Sequence, residues 1–206
     1  MKKEDIKEFF KKIWFITWKD DSFKGWILSI IFLFIFIKFI FFPVLSFTAG
    51  TALPLAIVES CSMYHEGNLF SNFGEWWDNN NNKYIPFTIN EKTFNEFPMT
   101  NGFNKGDILL IWKAKPEELK EGDIIIFNGN YQHPLIHRIV DIKESDGKRT
   151  FSTLGDNNQG QIPVEKTISE DQLVGKAVFK LTPYLGWVKL IFFEWQKSDA
   201  EKGFCS

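Results

Sequence analysis

The sequence is poor in the residues from which metal sites and disulfide frameworks are built. Its 206 residues include two cysteines and three histidines, and neither their number nor their spacing matches a zinc motif or a multiply bridged scaffold. We therefore predict no metal site and no cofactor. Because Cys205 lies second from the end of the chain, where chains usually fray, we also expect no structural bridge between Cys205 and Cys61.

An excess of positive charge is missing as well. The 24 lysines and arginines are balanced by 26 aspartates and glutamates, which gives a formal net charge of -2. Proteins that bind nucleic acid usually carry a basic patch or stripe, and the sequence has no such cluster. It therefore predicts that nucleic acid is not a partner.

One long apolar run stands out from this mixed composition. Residues 26–47 read WILSIIFLFIFIKFIFFPVLSF, and about 20 apolar residues are enough to cross the hydrocarbon core of a membrane. The run is too long for a cleaved signal peptide, and no small-residue cleavage site follows it closely. We therefore predict an uncleaved transmembrane anchor over residues 26–47, with the lipid bilayer as a partner and Lys38 snorkelling toward the headgroups.

Positive charge is distributed unequally around this run. Seven lysines precede it, whereas the next positively charged residue after Lys38 is Lys83. Positive residues favour the cytoplasmic side of a span. We therefore predict a single-pass protein of the cell membrane with a cytoplasmic N-terminus and an extracytoplasmic domain beyond Thr48.

Residues 1–25 are predicted to form a cytoplasmic amphipathic leader. Lysines occupy one helical face, and apolar residues recur on another at Ile6, Phe9, Phe10, Ile13 and Trp14. This pattern is typical of a helix that lies on a membrane surface. A solvated helix is the alternative.

Residues 48–182 show the pattern of a β-rich domain. Short runs rich in Ile, Val and Phe alternate with turn residues, and Asp146-Gly147 between two such runs is typical of a hairpin turn. The predicted strands are Leu55–Val58, Asp107–Trp112, Asp123–Phe127, Leu135–Ile142, Thr150–Leu154 and Leu173–Leu181. We predict a mainly β fold, an antiparallel and barrel-like sheet tethered by one N-terminal transmembrane helix.

Two segments do not follow this strand pattern. Residues 65–104 are predicted to be an insertion that forms a long surface excursion, partly ordered by aromatic packing and placed either on the membrane or beside the cleft. Residues 183–206 begin with PYLGWVKLIFFEW, which is too short and too charged to span a bilayer. We predict a membrane-interface aromatic segment there, and a small aromatic satellite of the β core is the alternative.

Three short motifs carry the residue types that peptide-bond hydrolysis requires. They are Ser60-Cys61-Ser62-Met63, His137-Arg138 and Gly155-Asp156-Asn157-Asn158. Each is common by itself. Together they supply a hydroxyl nucleophile, a base that titrates near neutral pH and a group that orients the base.

In this order the motifs resemble those of type I signal peptidases, in the archaeal and endoplasmic-reticulum branch. The Ser-x-Ser-Met box follows a membrane anchor, and a His-Arg pair stands where the bacterial branch has its lysine. Residues 173–176 (LVGK) and 183–186 (PYLG) resemble the closing segment of the family. The resemblance covers about residues 26–66 and 105–190, and it implies the signal peptidase catalytic fold.

The resemblance also implies a role for each matching residue. Ser62 would be the nucleophile, His137 the general base and Asp156 the group that orients it. Ser60 would join the backbone N–H of Ser62 in stabilising the oxyanion, and Met63 would shape the substrate cleft.

The resemblance further implies the substrate. Ile57 and Val58 would lie on a strand edge that binds an extended chain. The substrates would be secretory preproteins with small residues before the cleavage site, and the protein translocation channel is a further candidate partner.

The sequence departs from the family in three ways. Cys61 replaces the usual glycine and is an alternative nucleophile. The insertion separates the serine box from the next Gly-Asp pair. The second acid that the family carries after the Gly-Asp-Asn-Asn box is missing, which leaves Glu165 as the alternative to Asp156.

Other interpretations also stay open. His65 is expected at the surface or as an anchor of the insertion, and His133 in a loop. The competing functions are a catalytically inactive membrane-tethered β domain that binds exported polypeptides and a protease of the same fold with another substrate near the membrane.

Overall fold

The computed structural model describes residues 3–67 and 73–205. The chain divides into two compact units, with the boundary between Thr48 and Ala49. The first contains the leader and the apolar run, and the second contains every strand.

The first unit consists of two helices. Helix α1 spans Lys3–Trp18, and the predicted leader is therefore helical. The side chains of Phe9 and Phe10, which belong to its expected apolar face, lie outside the described residues.

The second helix is the apolar run itself. It extends over Phe23–Ala49 and is long and apolar enough to cross a membrane. It begins where the Ser22 side chain accepts a hydrogen bond from the backbone N–H of Gly25, which satisfies one of the free donors of a helix N-terminus. Within it, α2 (Phe23–Phe36), a π-helical turn (Ile37–Phe41) and α3 (Phe42–Ala49) follow one another.

The second unit is built on one antiparallel sheet of seven strands in the order β1-β2-β7-β3-β4-β5-β6. The strands are β1 (Leu55–Ile57), β2 (Ile108–Trp112), β3 (Ile124–Phe127), β4 (Leu135–Ser145), β5 (Lys148–Leu154), β6 (Ile168–Ser169) and β7 (Leu173–Thr182). The predicted mainly β fold with one N-terminal apolar helix is confirmed. The six predicted strands are all present, and the short β6 is an addition.

The turn between β4 and β5 is the predicted hairpin. Asp146 and Gly147 both have positive φ values, 53° and 71°, as a type I′ turn requires. This turn sets the register in which Ser145 pairs with Lys148.

Strand β3 lies at the centre of the core because both of its faces are buried. Successive side chains of a strand point to opposite faces. Accordingly Ile124 and Ile126 pack with residues of β1, β2 and β7, whereas Ile125 and Phe127 pack with Ile139 and other residues of β4, β5 and β6. The continuous apolar run of β3 is therefore the sequence signature of a strand covered on both sides.

The insertion is packed against the sheet and contains helices. Helix α4 (Phe73–Asn80), a 3₁₀ segment (Asn81–Phe87) and α5 (Glu91–Asn95) surround an aromatic cluster. Its buried members are Trp76, Trp77, Tyr84 and Phe94, and they pack with Val140 and Leu154 of the sheet. The sequence predicts that aromatic packing partly orders this insertion, and the structure adds short helices for which the sequence shows no helical period of useful length. The aromatic residues bury enough apolar area to hold these short elements in place.

Residues 187–205, hereafter the strap, pack beside β1 and the loop before β2. The strap contains α6 (Trp187–Leu190) and the 3₁₀ turns Glu194–Gln196 and Asp199–Glu201, and it ends in a disulfide between Cys61 and Cys205. The expectation that these cysteines stay unpaired is wrong, because the strap returns to the serine box. Further 3₁₀ turns lie at Pro116–Glu118, Pro163–Glu165 and Glu170–Gln172.

Candidate active site

Ser62 and His137 form the centre of the site. Ser62 lies in the turn after β1, where its carbonyl oxygen accepts a hydrogen bond of 2.8 Å from the backbone N–H of Asn157. His137 lies on β4, opposite Ile125 of β3, and only 3% of its surface is exposed. The Nε2 atom of His137 is 2.9 Å from the Oγ atom of Ser62.

Glu165 lies on the other side of the His137 ring. Its Oε1 atom is 2.5 Å from Nδ1 of His137. The two atoms are in close contact, without the alignment of a linear hydrogen bond. The carboxylate is fully buried, and its Oε2 atom accepts a hydrogen bond of 2.8 Å from the backbone N–H of Ile162.

Asp156 occupies a different position from the one that its expected role requires. Among the described residues its carboxylate bonds to Arg138, Tyr84 and His65, and no contact joins it to His137. The Nη2 atom of Arg138 is 2.7 Å from Oδ2 of Asp156, and the Tyr84 hydroxyl donates to Oδ1 at 3.0 Å. The structure thus brings Ser62, His137 and Glu165 together and leaves Asp156 in a neighbouring network.

This network joins the insertion to the sheet. His65 is stacked on Trp76, with ring centroids 3.6 Å apart, and its Nε2 atom is 3.0 Å from Asp156. Arg138 is fully buried and donates to the carbonyl oxygens of Pro98 and Met99. His65 therefore anchors the insertion and is buried rather than exposed at the surface.

The charges of the network favour an ionised Asp156. Complete burial by itself would raise the pKa of Asp156, but the charge of Arg138 and the contacts with His65 outweigh burial and hold this pKa well below its usual range. Burial lowers the pKa of His65 below its usual 6.5 and lowers the pKa of Lys83 to about 8. Burial also raises the pKa of Tyr84, so the tyrosine stays a hydrogen-bond donor.

The remaining expected site residues surround a cleft of about 530 Å³. The Ser60 hydroxyl is 3.1 Å from the Ser62 hydroxyl. Met63 is buried beneath the serine, and Ile57 and Val58 line the cleft. Because β1 is the first strand in the sheet order, one of its edges has no partner strand among residues 3–67 and 73–205.

Cys61 and His133, the other reactive side chains near the cleft, are in less suitable positions. The sulfur of Cys61 is bonded to that of Cys205, so it is not a free thiol. His133 is exposed at the side of the cleft.

Sequence reasoning undervalued Glu165 and missed the buried Arg138 network. The signal for Glu165 was the run Pro163-Val164-Glu165. A proline at the start of a helical turn followed two residues later by glutamate is typical of a turn whose glutamate reaches back to the backbone. No local signal shows that this turn lies behind His137.

A serine hydroxyl, a histidine and a buried carboxylate in line are the parts of a serine hydrolase site. Here they lie in a cleft of an antiparallel β domain. This arrangement matches that of the serine hydrolases with a Ser-His pair.

Comparison with curated proteins shows which peptidases the chain is similar to. The chain is similar to the signal peptidase complex catalytic subunit SEC11C of Homo sapiens, with 31% identity over 110 residues that cover 48% of this chain and 55% of the relative. It is 34% identical over 101 residues to SEC11 of Lachancea thermotolerans, covering 45% and 59% of the two chains. It is 28% identical over 103 residues to SEC11 of Colletotrichum graminicola, covering 47% and 60%.

These similarities confirm the resemblance to type I signal peptidases of the endoplasmic-reticulum branch. The matched regions span between 55% and 60% of the length of these three relatives. No family model matches the chain.

Proposed function

We propose that this chain is a membrane-bound serine endopeptidase that removes N-terminal signal peptides from secretory preproteins. The observation that carries the proposal is the 2.9 Å contact between the Ser62 hydroxyl and His137, with Glu165 on the far side of the imidazole. The similarity to signal peptidase catalytic subunits supports the choice of substrate.

The geometry supports a division of roles among three side chains. The Oγ atom of Ser62 attacks the scissile carbonyl carbon while Nε2 of His137 takes its proton. His137 then returns this proton to the leaving amine as the scissile C–N bond breaks, and water deprotonated by the same imidazole hydrolyses the resulting Ser62 ester and frees the serine. Glu165 keeps the proton of the imidazole on Nδ1 and stabilises the imidazolium, which is the role of the acid in such triads.

We assign Ser60 to the oxyanion. Its hydroxyl lies 3.1 Å from the Ser62 hydroxyl, so a carbonyl attacked by Ser62 brings its oxygen within reach of Ser60 and of the Ser62 backbone N–H. A donor placed where negative charge develops stabilises the transition state more than the ground state.

The substrate binds as an added strand. The free edge of β1 offers backbone groups to an extended chain, and Ile57, Val58 and Met63 supply apolar walls. Small residues at the first and third positions before the cut suit such a site, and cleavage signals of secretory peptides contain them.

The apolar helix Phe23–Ala49, which is long and apolar enough to cross a membrane, supports membrane attachment. We infer a single span, with the N-terminus in the cytoplasm and the protease domain outside it, because lysines are concentrated before the helix. Association with the protein translocation channel would deliver preproteins to this position.

We also infer that the outer side of segment 183–206 contacts lipid. Its exposed apolar side chains are Leu185, Val188, Ile191, Phe192, Phe193, Trp195 and Phe204. Aromatic side chains partition into the membrane interface. Brominated lipids should quench the tryptophan fluorescence of the wild type more than that of the Trp195→Phe variant, which lacks the contribution of Trp195. Equal quenching of both proteins would argue against lipid contact.

The test of the function is cleavage of a preprotein by the purified full chain in proteoliposomes. We expect one product whose new N-terminus follows small residues at the first and third positions before the cut. A matched preprotein with arginine at the third position should stay uncut. Stable binding of both preproteins without cleavage would instead support an inactive binding domain.

A further inference from the structure

The strap reaches the residue next to the proposed nucleophile. Cys205 is disulfide-bonded to Cys61, which stands between Ser60 and Ser62. The Nζ atom of Lys197 donates to the carbonyl oxygen of Glu59 at 2.5 Å. Together with the 3.7 Å contact between Lys189 and Glu59, these contacts from the strap hold the chain just before Ser62.

A buried lysine anchors the strap to the loop before β2. Lys105 is fully buried, and its ammonium group donates to Glu194 at 2.9 Å and to the carbonyl oxygen of Glu201 at 2.6 Å. The ammonium also lies 5.1 Å from the centre of the Trp187 ring. A buried charge is tolerated only where partners surround it, and these partners all belong to the strap.

The loop before β2, which contains Lys105 and Gly106, is also hydrogen-bonded to the segment that leads to Ser62. The N–H of Val58 donates to the carbonyl oxygen of Asp107 at 2.9 Å, and the N–H of Gly106 donates to the carbonyl oxygen of Val58 at 2.8 Å. The indole of Trp187 lies where a side chain at Gly106 would have to be. The anchor at Lys105 and the disulfide therefore act on one continuous piece of structure that ends at Ser62.

The strap also forms part of the cleft wall. Lys189, Lys197 and Glu201 line the cleft on the side of Glu59 and Ser60. Displacement of the strap would therefore change both the support of Ser62 and the width of the cleft.

We propose that the strap is a positioning device that holds Ser62 in its reactive place, and that reduction of Cys61–Cys205 by an external dithiol lowers turnover by releasing it. The inference rests on the proposed proteolytic function. Both cysteines are partly exposed, so a small dithiol can reach them.

The chemistry is ordinary thiol–disulfide exchange. One thiolate of the dithiol attacks a sulfur of the bridge and forms a mixed disulfide, which releases the other cysteine as a thiolate. The second thiol of the dithiol, as its thiolate, then closes a disulfide and releases the second cysteine. Two electrons pass from the dithiol to the bridge, and at neutral pH the two cysteines end as thiols.

The first test measures kcat and KM of the full chain in proteoliposomes before and after dithiothreitol. Reduction should lower kcat roughly tenfold to a hundredfold, because small displacements of a reacting group cost rates of this order. Reoxidation should restore the rate. The Cys61→Ala, Cys205→Ala double variant should have the low kcat of the reduced protein, and dithiothreitol should not change it.

The second test perturbs the anchor and leaves the bridge intact. Lys105→Met should lower kcat and speed hydrogen exchange in the strap. Lys115→Met is the matched control, because Lys115 pairs with Glu118 at 3.2 Å while both side chains are largely exposed. It should change neither quantity.

The third test does not depend on catalysis. Backbone hydrogen exchange of residues 55–62 is measured in the Ser62→Ala variant with and without dithiothreitol. Faster exchange after reduction is expected. If reduction changed neither this hydrogen exchange nor the kcat of the wild type, or left either one unchanged, the proposed positioning role of the strap would be contradicted. If the wild type never cleaved preprotein, only the proposed function would be refuted. The hydrogen-exchange measurement would still test whether the strap holds the chain before Ser62.

Discussion

The two buried carboxylates considered for the orienting role have different partners. Glu165 is within 2.5 Å of the imidazole, whereas Asp156 forms an ion pair of 2.7 Å with Arg138. Because a triad needs its acid at the ring nitrogen remote from the nucleophile, Glu165 fits the orienting role better than Asp156.

The exchange of each acid for its amide separates these roles. Glu165→Gln should lower kcat by about 10³ to 10⁴ because the imidazole loses the group that fixes its proton. Asp156→Asn should instead lower the free energy of unfolding by about 3–5 kcal/mol, because it leaves the buried Arg138 without its countercharge.

The measurements are preprotein cleavage and urea denaturation of the same preparations. Asp141→Asn is the surface control, since Asp141 is partly exposed and forms only a 3.7 Å contact with Lys143. If Asp156→Asn lost kcat while staying fully folded and Glu165→Gln did not, the assignment of the acid would be reversed.

Ser60 provides a second test at the scale of the residue. Ser60→Ala should reduce kcat by about 10² to 10³ with little change in KM, since it removes one donor to the oxyanion. Ser145→Ala, at an exposed position in β4, is the control. A loss that appears in KM alone would assign Ser60 to substrate binding.

Sequence reasoning could find Ser62 and His137 because each stands in a short motif beside a strand. It could not rank Glu165 above Asp156, because that choice depends on where the turn at Pro163 folds back. The disulfide was missed for the same reason. Only the path of the strap brings Cys205 to Cys61.

Among the secondary-structure elements, the strands could be predicted from the sequence, whereas the short helices of the insertion could not. The continuous apolar composition of runs such as Ile124–Phe127 predicts buried strands, and the dipeptide Asp146-Gly147 predicts a hairpin turn from local sequence alone. The short helices of the insertion lack a long helical period. They are stabilised by tertiary packing around Trp76 and Phe94, which local patterns do not reveal.

The docking of the insertion should depend on pH through His65. The charged neighbours of His65 are Asp156, Arg138 and Lys83. The pKa of His65 is lower in the folded chain than its usual 6.5. Between these two values the unfolded chain binds a proton that the folded chain does not, so stability falls as the pH falls.

Urea midpoints at about pH 7.5 and about pH 5.5, followed by tryptophan fluorescence, measure this dependence around the histidine range. The wild type should lose more stability on acidification than His65→Gln. His133→Gln, at an exposed histidine, should behave like the wild type. An equal loss in wild type and His65→Gln would contradict the proposed coupling.

At the scale of the whole molecule, the charge asymmetry around the apolar helix predicts topology. In inside-out vesicles the unit beyond Thr48 should be protected from added protease, and in right-side-out vesicles it should be digested. Protection in right-side-out vesicles would show that the lysines before the helix do not set the orientation.

Bridge reduction should also destabilise the β domain. Cys61 and Cys205 are 144 residues apart, and a cross-link over so long a loop restricts the unfolded chain by about 4–5 kcal/mol in the chain-entropy estimate. Urea midpoints of the wild type and of Cys205→Ser measure this contribution. Equal midpoints would mean that the bridge does not restrict the unfolded chain.

The most direct test of the central claim is preprotein cleavage by three variants in proteoliposomes. Ser62→Ala and His137→Ala should each abolish cleavage, while Cys61→Ala should keep a reduced but measurable rate because its sulfur only holds the strap. Cleavage by Ser62→Ala together with loss of activity in Cys61→Ala would contradict the account.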